Sequence, residues 1–264
     1  MRANYIKKFY GIGIGPGDPQ LMTLKALNAL KEADVIFAPR SGEDTTSCAR
    51  AIISKVLKKR KKIVELKFPM TRDKGVLTAY WQKAASKIAT ALKNGGNAAF
   101  VTIGDPLIYS TYIYLLDILR KQFPDIKTVT IPGISAFNAA SSRLQIPLVC
   151  GNETMAVLPV ANNLNKVRKF LKEFDTVVLM KIGSSLNKLI PILKEMKLIK
   201  NSILISRVGY PDETIIRDLA TMKDMKPGYM SVIIIKRNLP NSLFSKGESL
   251  PSRFPLPRRG RGLG

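Results

Sequence analysis

Short apolar runs alternate with longer amphipathic segments along the first half of the chain. The short runs are typical of strands, and the amphipathic segments between them are typical of helices. Among the predicted helices are Thr23 to Ala33 and Leu77 to Lys93, and in the first we expect Leu24, Leu27 and Leu30 to share one face. This alternation predicts a mainly parallel sheet covered by helices. The predicted strands are Phe9 to Ile14, Asp34 to Ala38, Ile63 to Leu66, Ala98 to Ile103 and Thr128 to Ile131.

A second set of predicted strands begins after Pro147 and Gly151, where we place a domain crossing. We therefore expect an α/β protein with one domain over residues 1–146 and another over residues 147–238. Residues 239–264 contain four prolines with scattered glycines and arginines and no periodicity, so we expect a disordered tail. The second set of strands is Thr154 to Leu158, Thr176 to Met180, Ser202 to Val208, Glu213 to Arg217 and Met230 to Lys236.

The charge of the chain is unusual, although its hydrophobic fraction of 45% is ordinary for a globular protein. The chain has 43 Lys plus Arg against 19 Asp plus Glu, which gives a net charge of +24. Because Lys246 to Gly264 holds only five cations and one anion, about 20 positive charges remain on the rest of the chain. Such a surface attracts nucleic acid, an anionic membrane or a multicarboxylate ligand. A lysine-rich surface without a single partner is an equal alternative.

The absence of histidine excludes several kinds of catalytic site. Ser-His-Asp and Cys-His machinery, histidine general bases and most catalytic zinc sites all require that residue. Only Cys48 and Cys150 are present, far apart, which argues against a disulfide framework and a metal site. No apolar run approaches the ~18–20 residues that span a bilayer, and the first residues do not resemble a signal peptide. We expect a cytoplasmic protein without a membrane partner.

Three predicted strands end in turns rich in small residues, at residues 11–19, 101–106 and 131–136. The first turn, G-I-G-I-G-P-G-D-P, fits neither the dinucleotide fingerprint nor the Walker pattern. Taken singly, such turns are ordinary helix starts, with Asp18 and Ser135 as N-caps and Pro19 at a first helical position. Taken together, they favour one ligand held from several sides, because ligands of open α/β sheets bind outside the carboxyl ends of strands.

The order of these motifs resembles the tetrapyrrole methylases, which use S-adenosyl-L-methionine to methylate precorrins, uroporphyrinogen and related rings. The resemblance covers roughly residues 8–236. Its markers are Y-G-I-G-I-G-P-G-D-P with T-L-K-A-L following, A-D-V-I-F-A-P, I-G-D-P-L-I-Y-S-T and I-P-G-I-S-A-F. Within the family, F-P-M-T-R-D at residues 68–73 and the ending Y-S-T resemble the branch that methylates carbon 20 of precorrin-2 or cobalt-precorrin-2 in cobalamin biosynthesis.

The resemblance implies a mainly parallel N-terminal sheet, a mixed C-terminal sheet, an active site in the cleft between two domains, and a homodimer. It also implies a set of contacts to S-adenosyl-L-methionine and to its product, S-adenosylhomocysteine. On a simpler interpretation, Ile103, Ile108 and Met180 are ordinary core residues. The residues implied to bind the methyl donor are Pro16, Ile103, Gly104, Asp105, Ile108, Tyr109, Ser135, Ala136, Met180 and Gly209.

Methyl transfer from a sulfonium to a ring carbon is an in-line displacement, so it needs positioning rather than an activated nucleophile. The proton that the ring carbon then loses passes to solvent or to a carboxylate, for which Asp73 and Asp105 are the only candidates we name. A tetrapyrrole carries several carboxylates, which charged side chains near strand ends bind well. The candidate anchors, each of which is otherwise a solvated charge, are Arg40, Arg72, Lys181 and Arg207.

Three alternatives stay open at this point. The first is another methylation step on a tetrapyrrole, and the second is an RNA-modifying methyltransferase of the same fold, which the charge of +24 suits. The third is a nucleotide-binding scaffold without catalysis. We disfavour nucleic acid as the partner, because F-P-M-T-R-D points to the corrinoid branch and we expect no cluster of exposed aromatic side chains.

Overall fold

A computed structural model describes residues 7–42, 47–57, 61–160, 163–222, 228 and 230–239. These residues form two five-stranded sheets and seven α-helices. The strands are β1 Lys8–Gly13, β2 Val35–Arg40, β3 Lys62–Lys67, β4 Ala98–Thr102, β5 Lys127–Ile131, β6 Met155–Pro159, β7 Thr176–Met180, β8 Ser202–Ser206, β9 Thr214–Ile216 and β10 Ser231–Lys236. The helices are α1 Leu24–Glu32, α2 Cys48–Val56, α3 Lys74–Lys93, α4 Tyr112–Gln122, α5 Ala136–Leu144, α6 Leu164–Glu173 and α7 Leu186–Glu195.

The first sheet is parallel throughout and has the strand order β3-β2-β4-β1-β5. Its side chains alternate between two buried faces, as the period of a strand requires. Phe9, Phe37 and Phe100 pack against α3 and α4, while their neighbours Tyr10 and Ile36 pack against α1 and α2. The sheet is therefore covered on both faces, which confirms the predicted parallel architecture.

Helix α1 buries a different face from the one that its leucines predict. Leu30 is fully buried, but Leu24 is 79% exposed, and the buried face runs instead through Ala26 and Ala29. These small side chains let the helix lie close to the sheet. The helix itself begins where its sequence indicates, because the Thr23 hydroxyl accepts a hydrogen bond from the Ala26 amide at 3.1 Å.

The second sheet is mixed and has the order β6-β7-β10-β8-β9, in which only β6 and β7 are parallel. Helices α6 and α7 cover one face, and α5 covers the other through Phe137, Ala140 and Leu144. All ten predicted strands are present, with ends that differ from the prediction by no more than two residues. The boundary between residues 146 and 147 stays a prediction, and α5, which precedes it, packs on the second sheet.

Two further expectations concern parts of the chain away from the sheets. The predicted tail at residues 239–264 lies outside the described residues, except for Leu239, which is buried. Within the described ranges, no helix is both long enough and apolar enough to cross a membrane. The cytoplasmic location stays a prediction.

A partly buried ion pair joins the last residue of β10 to the segment between the two sheets. Lys236 donates to the Glu153 carboxylate, and its side chain is only 4% exposed. The hydrogen bond from Lys236 is the largest reason why the pKa of Glu153 lies below its usual value, followed by a bond from the Cys150 amide. Because folding lowers the pKa of Glu153, the pair stabilises the folded protein at pH values above the ordinary pKa of a glutamate.

We expect the Glu153→Gln variant to lose less stability in acid than the parent protein does. In the parent, the stabilisation from this pair disappears as the pH falls below about 4.5 and through the lowered pKa of Glu153, whereas glutamine has no proton to gain. Urea unfolding at a series of pH values measures the difference. Equal acid sensitivity of the two proteins would show that this carboxylate does not contribute.

Candidate functional site

Three loops meet at the carboxyl edge of the first sheet, because β4, β1 and β5 are neighbours. The Gly104 amide donates a hydrogen bond to the Gly15 carbonyl at 2.8 Å, which joins the loop after β4 to the loop after β1. A Cβ atom on Gly13 would lie 2.6 Å from both the Gly104 oxygen and the Gly133 nitrogen. Only glycine allows this approach, so the three loops form one surface.

Asp105 connects the second loop to the third through its carboxylate. One oxygen accepts a hydrogen bond from the Leu107 amide at 2.8 Å, and the other accepts one from the Gly133 amide at 3.1 Å. A carboxylate that binds two backbone amides fixes both segments more firmly than a neutral acceptor would. Asp105, which is predicted to contact the methyl donor, thus holds the second and third loops together through its side chain.

Ser135 and Asp18 occupy the two predicted helix starts, but they behave differently. The Asp18 carboxylate accepts a hydrogen bond from the Gln20 amide at 2.8 Å and caps the short turn that begins at Pro19, as predicted. Ser135 lies at the N-cap position of α5 and is buried, yet its hydroxyl makes no capping bond. Helix capping therefore does not explain why a small hydroxyl residue lies at this strand end.

Several residues implied to bind the donor come together between the two sheets. Ile108, Ala136 and Met180 are partly buried and pack against the same apolar cluster, which includes residues of both α5 and the second sheet. Ile103 lies elsewhere, because it packs with Tyr210 against the core on the α1 and α2 face of the first sheet. Pro16 is buried within the first loop.

Gly209 follows β8 and brings the second sheet against the first loop. Its φ is +79°, and a Cβ atom there would lie 2.8 Å from the Asp18 nitrogen, so both the conformation and the space require glycine. The Gly209 amide donates to one Glu213 oxygen at 3.0 Å, while Arg143 of α5 binds the other at 2.6 Å. This contact lies between backbones and does not by itself indicate a ligand.

Tyr109 links the loop after β4 to the edge strand of the second sheet. Its hydroxyl donates to the Val157 carbonyl at 2.9 Å, although its backbone has a φ of +50°, which is unfavourable for a residue with a side chain. A tyrosine hydroxyl is protonated near neutral pH and can donate a hydrogen bond, and burial raises the pKa of Tyr109 further. Sequence reasoning missed this link, because a positive φ and a partner 48 residues away leave no local signal.

We expect Tyr109→Phe to cost about 1 kcal/mol of stability, the usual net value of one hydrogen bond. We also expect the variant to bind S-adenosylhomocysteine more weakly than the parent does. The ring and the backbone are kept, so only the bond to Val157 is lost. Thermal unfolding and calorimetry with S-adenosylhomocysteine measure the two effects. Tyr114→Phe is the control, because the Tyr114 ring stacks on Trp81 and is 49% exposed. Equal behaviour of the two variants would contradict the role of the Tyr109 hydroxyl.

The four side chains considered as anchors for substrate carboxylates lie at the end of, or after, four different strands. Arg40 ends β2 and pairs with Glu65 at 3.9 Å, and Arg72 lies exposed between β3 and α3. Lys181 follows β7 and is exposed, with a φ of +53°. Arg207 follows β8, pairs with Asp212 at 2.6 Å and stacks on the Tyr210 ring at 4.4 Å, so its charge is already balanced.

The two carboxylates considered as proton acceptors both bind backbone amides. Asp73 caps α3, since one of its oxygens accepts a hydrogen bond from the Val76 amide at 3.0 Å. Asp105 holds two loops, as described above. Both side chains therefore have structural roles, which favours solvent as the acceptor.

The arrangement suits a methyl donor with a flat aromatic base. The glycine loops allow close approach to the backbone, the cluster around Ile108 and Met180 supplies an apolar wall, and the Ser135 hydroxyl is not used for capping. Such a site positions reactants and supplies no nucleophile of its own.

Comparison with known proteins identifies the family. The family model described as Tetrapyrrole (Corrin/Porphyrin) Methylases matches residues 8–223, which include strands of both sheets. A protein of Methanocaldococcus jannaschii named probable cobalt-precorrin-2 C(20)-methyltransferase is 39% identical over 88% of this chain and 97% of its own length. A precorrin-2 C(20)-methyltransferase of Sinorhizobium is 30% identical over 87% of this chain and 95% of its own.

A solved structure agrees with these sequence matches at the level of the fold. The uroporphyrin-III C-methyltransferase of Thermus thermophilus, complexed with S-adenosylhomocysteine, superposes with a TM-score of 0.61 at 18% identity, over 87% of this chain and 97% of that one. The two-sheet architecture and the sequence matches lead to the same result. This chain belongs to the tetrapyrrole (corrin/porphyrin) methylase family.

Proposed function

We propose that this protein transfers a methyl group from S-adenosyl-L-methionine to carbon 20 of precorrin-2 or of cobalt-precorrin-2. The observation that carries the proposal is the 39% identity to the relative from M. jannaschii, which extends over almost the full length of both chains. The structure of a more distant relative with S-adenosylhomocysteine supports the choice of donor.

The residues of this chain act by binding and orientation. S-adenosyl-L-methionine supplies the methyl group on its sulfonium. The loops joined by Gly104, Asp105 and Gly133 hold the donor, and the apolar wall that includes Ile108 and Met180 excludes water from its base. Positively charged side chains at strand ends, among them Arg40 at the end of β2 and Lys181 after β7, attract the carboxylates of the acceptor.

Incubation with a labelled donor tests the proposal. The purified protein is mixed with precorrin-2 in one reaction and with its cobalt form in another, and mass spectrometry follows the ring. We expect a trimethylated product from one or both rings. No added methyl group in either reaction, with S-adenosylhomocysteine shown to bind, would refute the assignment to this branch.

The net charge of +24 favours RNA as a second candidate substrate. A filter-binding titration across salt concentrations separates the candidates, since binding through phosphates weakens steeply as salt rises. We expect no saturable RNA binding near physiological salt. Tight RNA binding together with no binding of a tetrapyrrole would favour RNA modification.

We propose that the protein forms a homodimer through an apolar surface on α3, α4 and the segments before them. Six of the eight large hydrophobic side chains that are exposed among the described residues fall within residues 70–76 and 107–114. The partly buried Trp81 ring of α3 and the exposed Tyr114 ring of α4 stack there at 3.9 Å. A concentration of exposed apolar side chains of this kind is typical of subunit contacts.

Sedimentation of the parent protein and of two glutamate variants tests the dimer. Ile113 is 38% exposed on this surface, and Leu24 is 79% exposed on α1, which covers the opposite face of the first sheet. We expect the parent and Leu24→Glu to sediment as dimers and Ile113→Glu as a monomer. A parent that stays monomeric at micromolar concentration, or an Ile113→Glu dimer, would refute this interface.

A further inference from the structure

Four hydroxyl side chains form a hydrogen-bonded group at the base of the second loop. The Ser110 hydroxyl donates to the Thr102 hydroxyl at 3.2 Å and accepts a bond from the Tyr112 amide at 3.0 Å. The Tyr112 hydroxyl is hydrogen-bonded to the Thr130 hydroxyl at 2.7 Å. These four residues, here called the hydroxyl network, connect the end of the second loop to β4 and to β5, the strands that lead into the second and third loops.

The Tyr112 ring reaches β5 by crossing β1 at Gly11. A Cβ atom on Gly11 would overlap the ring and lie 2.5 Å from its hydroxyl oxygen, so only glycine leaves room for the tyrosine. Gly11 is the register partner of Phe100 on β4 and of Thr130 on β5. Because register partners point to the same face of a sheet, the Tyr112 hydroxyl meets Thr130 on the face that α3 and α4 cover. The first glycine of the G-I-G-I-G turn thus accommodates a side chain of this protein.

The bonds of the hydroxyl network are protected from water. Tyr112 is fully buried, and Ser110 and Thr102 are each 8% exposed. Thr111, the N-cap residue of α4, makes no side-chain capping bond, and the Ser110 hydroxyl accepts the bond from the Tyr112 amide instead. Removing one member of a buried hydrogen bond leaves its partner without water to replace it. The base of the second loop therefore depends on these side chains.

The second loop runs between two residues of the network that bind each other, Thr102 and Ser110. Its residues 103–109 include Gly104 and Asp105, which are implied to bind the methyl donor. A loop that already has its bound shape binds more tightly, because less conformational freedom is lost. Methyl transfer also requires donor and acceptor to be held in line, so a small displacement of this loop slows the reaction. A change in the network is therefore expected to reach the donor through the loop.

We propose that Ser110 and Tyr112 are positioning residues for the methyl donor, because their hydroxyl bonds to Thr102 and Thr130 hold the second loop in its donor-binding shape. The proposal rests on the proposed function for the identity of the donor. It gives a role to the serine of Y-S-T, which the sequence marked only as a sign of the branch, and to the tyrosine that follows that motif.

The first test compares Tyr112→Phe with Tyr10→Phe in the full-length protein. Tyr112→Phe keeps the ring and removes the bond to Thr130. Tyr10 lies on the other face of β1, and its hydroxyl donates to a Glu32 oxygen at 2.6 Å. Each variant loses one hydrogen bond of a buried tyrosine, so we expect both to unfold at a lower temperature than the parent. In calorimetry, we expect Tyr112→Phe alone to bind S-adenosylhomocysteine about fivefold more weakly, the change expected for about 1 kcal/mol.

The second test compares Ser110→Ala with Ser202→Ala. Ser202 is a fully buried serine at the start of β8, and its hydroxyl donates to the Leu198 carbonyl at 2.7 Å. We expect similar losses of thermal stability in the two variants and an affinity for S-adenosylhomocysteine that falls about fivefold in Ser110→Ala alone. In the methylation assay, the KM for S-adenosyl-L-methionine should rise in Ser110→Ala, while the KM for the tetrapyrrole stays at the parent value.

Unchanged affinity for S-adenosylhomocysteine in Tyr112→Phe or in Ser110→Ala would overturn the positioning role of that residue. An equal loss of affinity in a network variant and its control would also overturn it, because lower stability would then be the cause. A parent protein that binds S-adenosylhomocysteine but methylates neither ring would instead refute the proposed function, and the binding comparisons would still decide the role of the network.

Discussion

Replacing Gly133 by alanine is expected to destabilise the protein by about 3 kcal/mol or more and to abolish binding of S-adenosylhomocysteine. The new Cβ atom would lie 2.3 Å from the Gly104 oxygen and 2.8 Å from the backbone of Gly13. These obstacles are backbone atoms of the other two loops, so no side chain can move aside to relieve the overlap. The loops must separate, and the donor site separates with them.

Thermal unfolding and calorimetry of Gly133→Ala measure the two consequences. Gly228→Ala is the control, because among the described residues its Cβ atom would meet only the Ser206 hydroxyl oxygen, at 4.0 Å, and its φ lies outside the left-handed region. We expect the control to bind as the parent does and to change stability by no more than about 0.5 kcal/mol. A Gly133→Ala protein with normal stability and normal binding would show that the three loops do not pack as described.

Replacing Asp105 by asparagine is expected to weaken binding of S-adenosylhomocysteine about 10- to 100-fold. The variant keeps the shape of the side chain, but it has only one oxygen in place of two. That oxygen can replace the acceptor for the backbone N–H of Leu107 or for that of Gly133, but not for both. The other backbone N–H then faces the NH2 group of the asparagine, which cannot accept a hydrogen bond. Losing one hydrogen bond to a charged group costs about 1.5–3 kcal/mol. The second and third loops should become less well ordered relative to each other.

Hydrogen exchange at the Gly133 amide, together with calorimetry, checks this expectation. Asp117→Asn is the matched control, since Asp117 lies on the next helix and its carboxylate pairs with Lys121 at 2.8 Å on an exposed surface. We expect faster exchange and weaker binding in Asp105→Asn alone. Unchanged exchange at Gly133 in that variant would remove Asp105 from the role given to it here.

The sequence predicted the layered architecture well, because strands of buried apolar residues leave a strong periodic signal. Strand β7 was placed at its observed ends, Thr176 and Met180. The choice of buried face on α1 was wrong at Leu24, because the pattern of leucines competes with that of the smaller alanines, and only packing against the sheet decides between them. Local patterns therefore predict where an element lies better than which side it buries.

Strand-end turns predicted where the loops lie but not how they are held. The carboxylate of Asp105 reaches an amide 28 residues away, and the hydroxyl of Tyr109 reaches a carbonyl 48 residues away. Such links depend on strand order, which a linear pattern does not encode. Whether the implied donor contacts bind the donor stays a prediction.

The most direct test of the account is to locate the transferred methyl group. S-adenosyl-L-methionine carrying a ¹³C-labelled methyl group is incubated with the protein and with precorrin-2 or its cobalt form, and the product is analysed by ¹³C nuclear magnetic resonance. We expect one new labelled methyl group, bound to carbon 20 of the ring. A label on any other carbon, or no label on the ring while S-adenosylhomocysteine still binds, would contradict it.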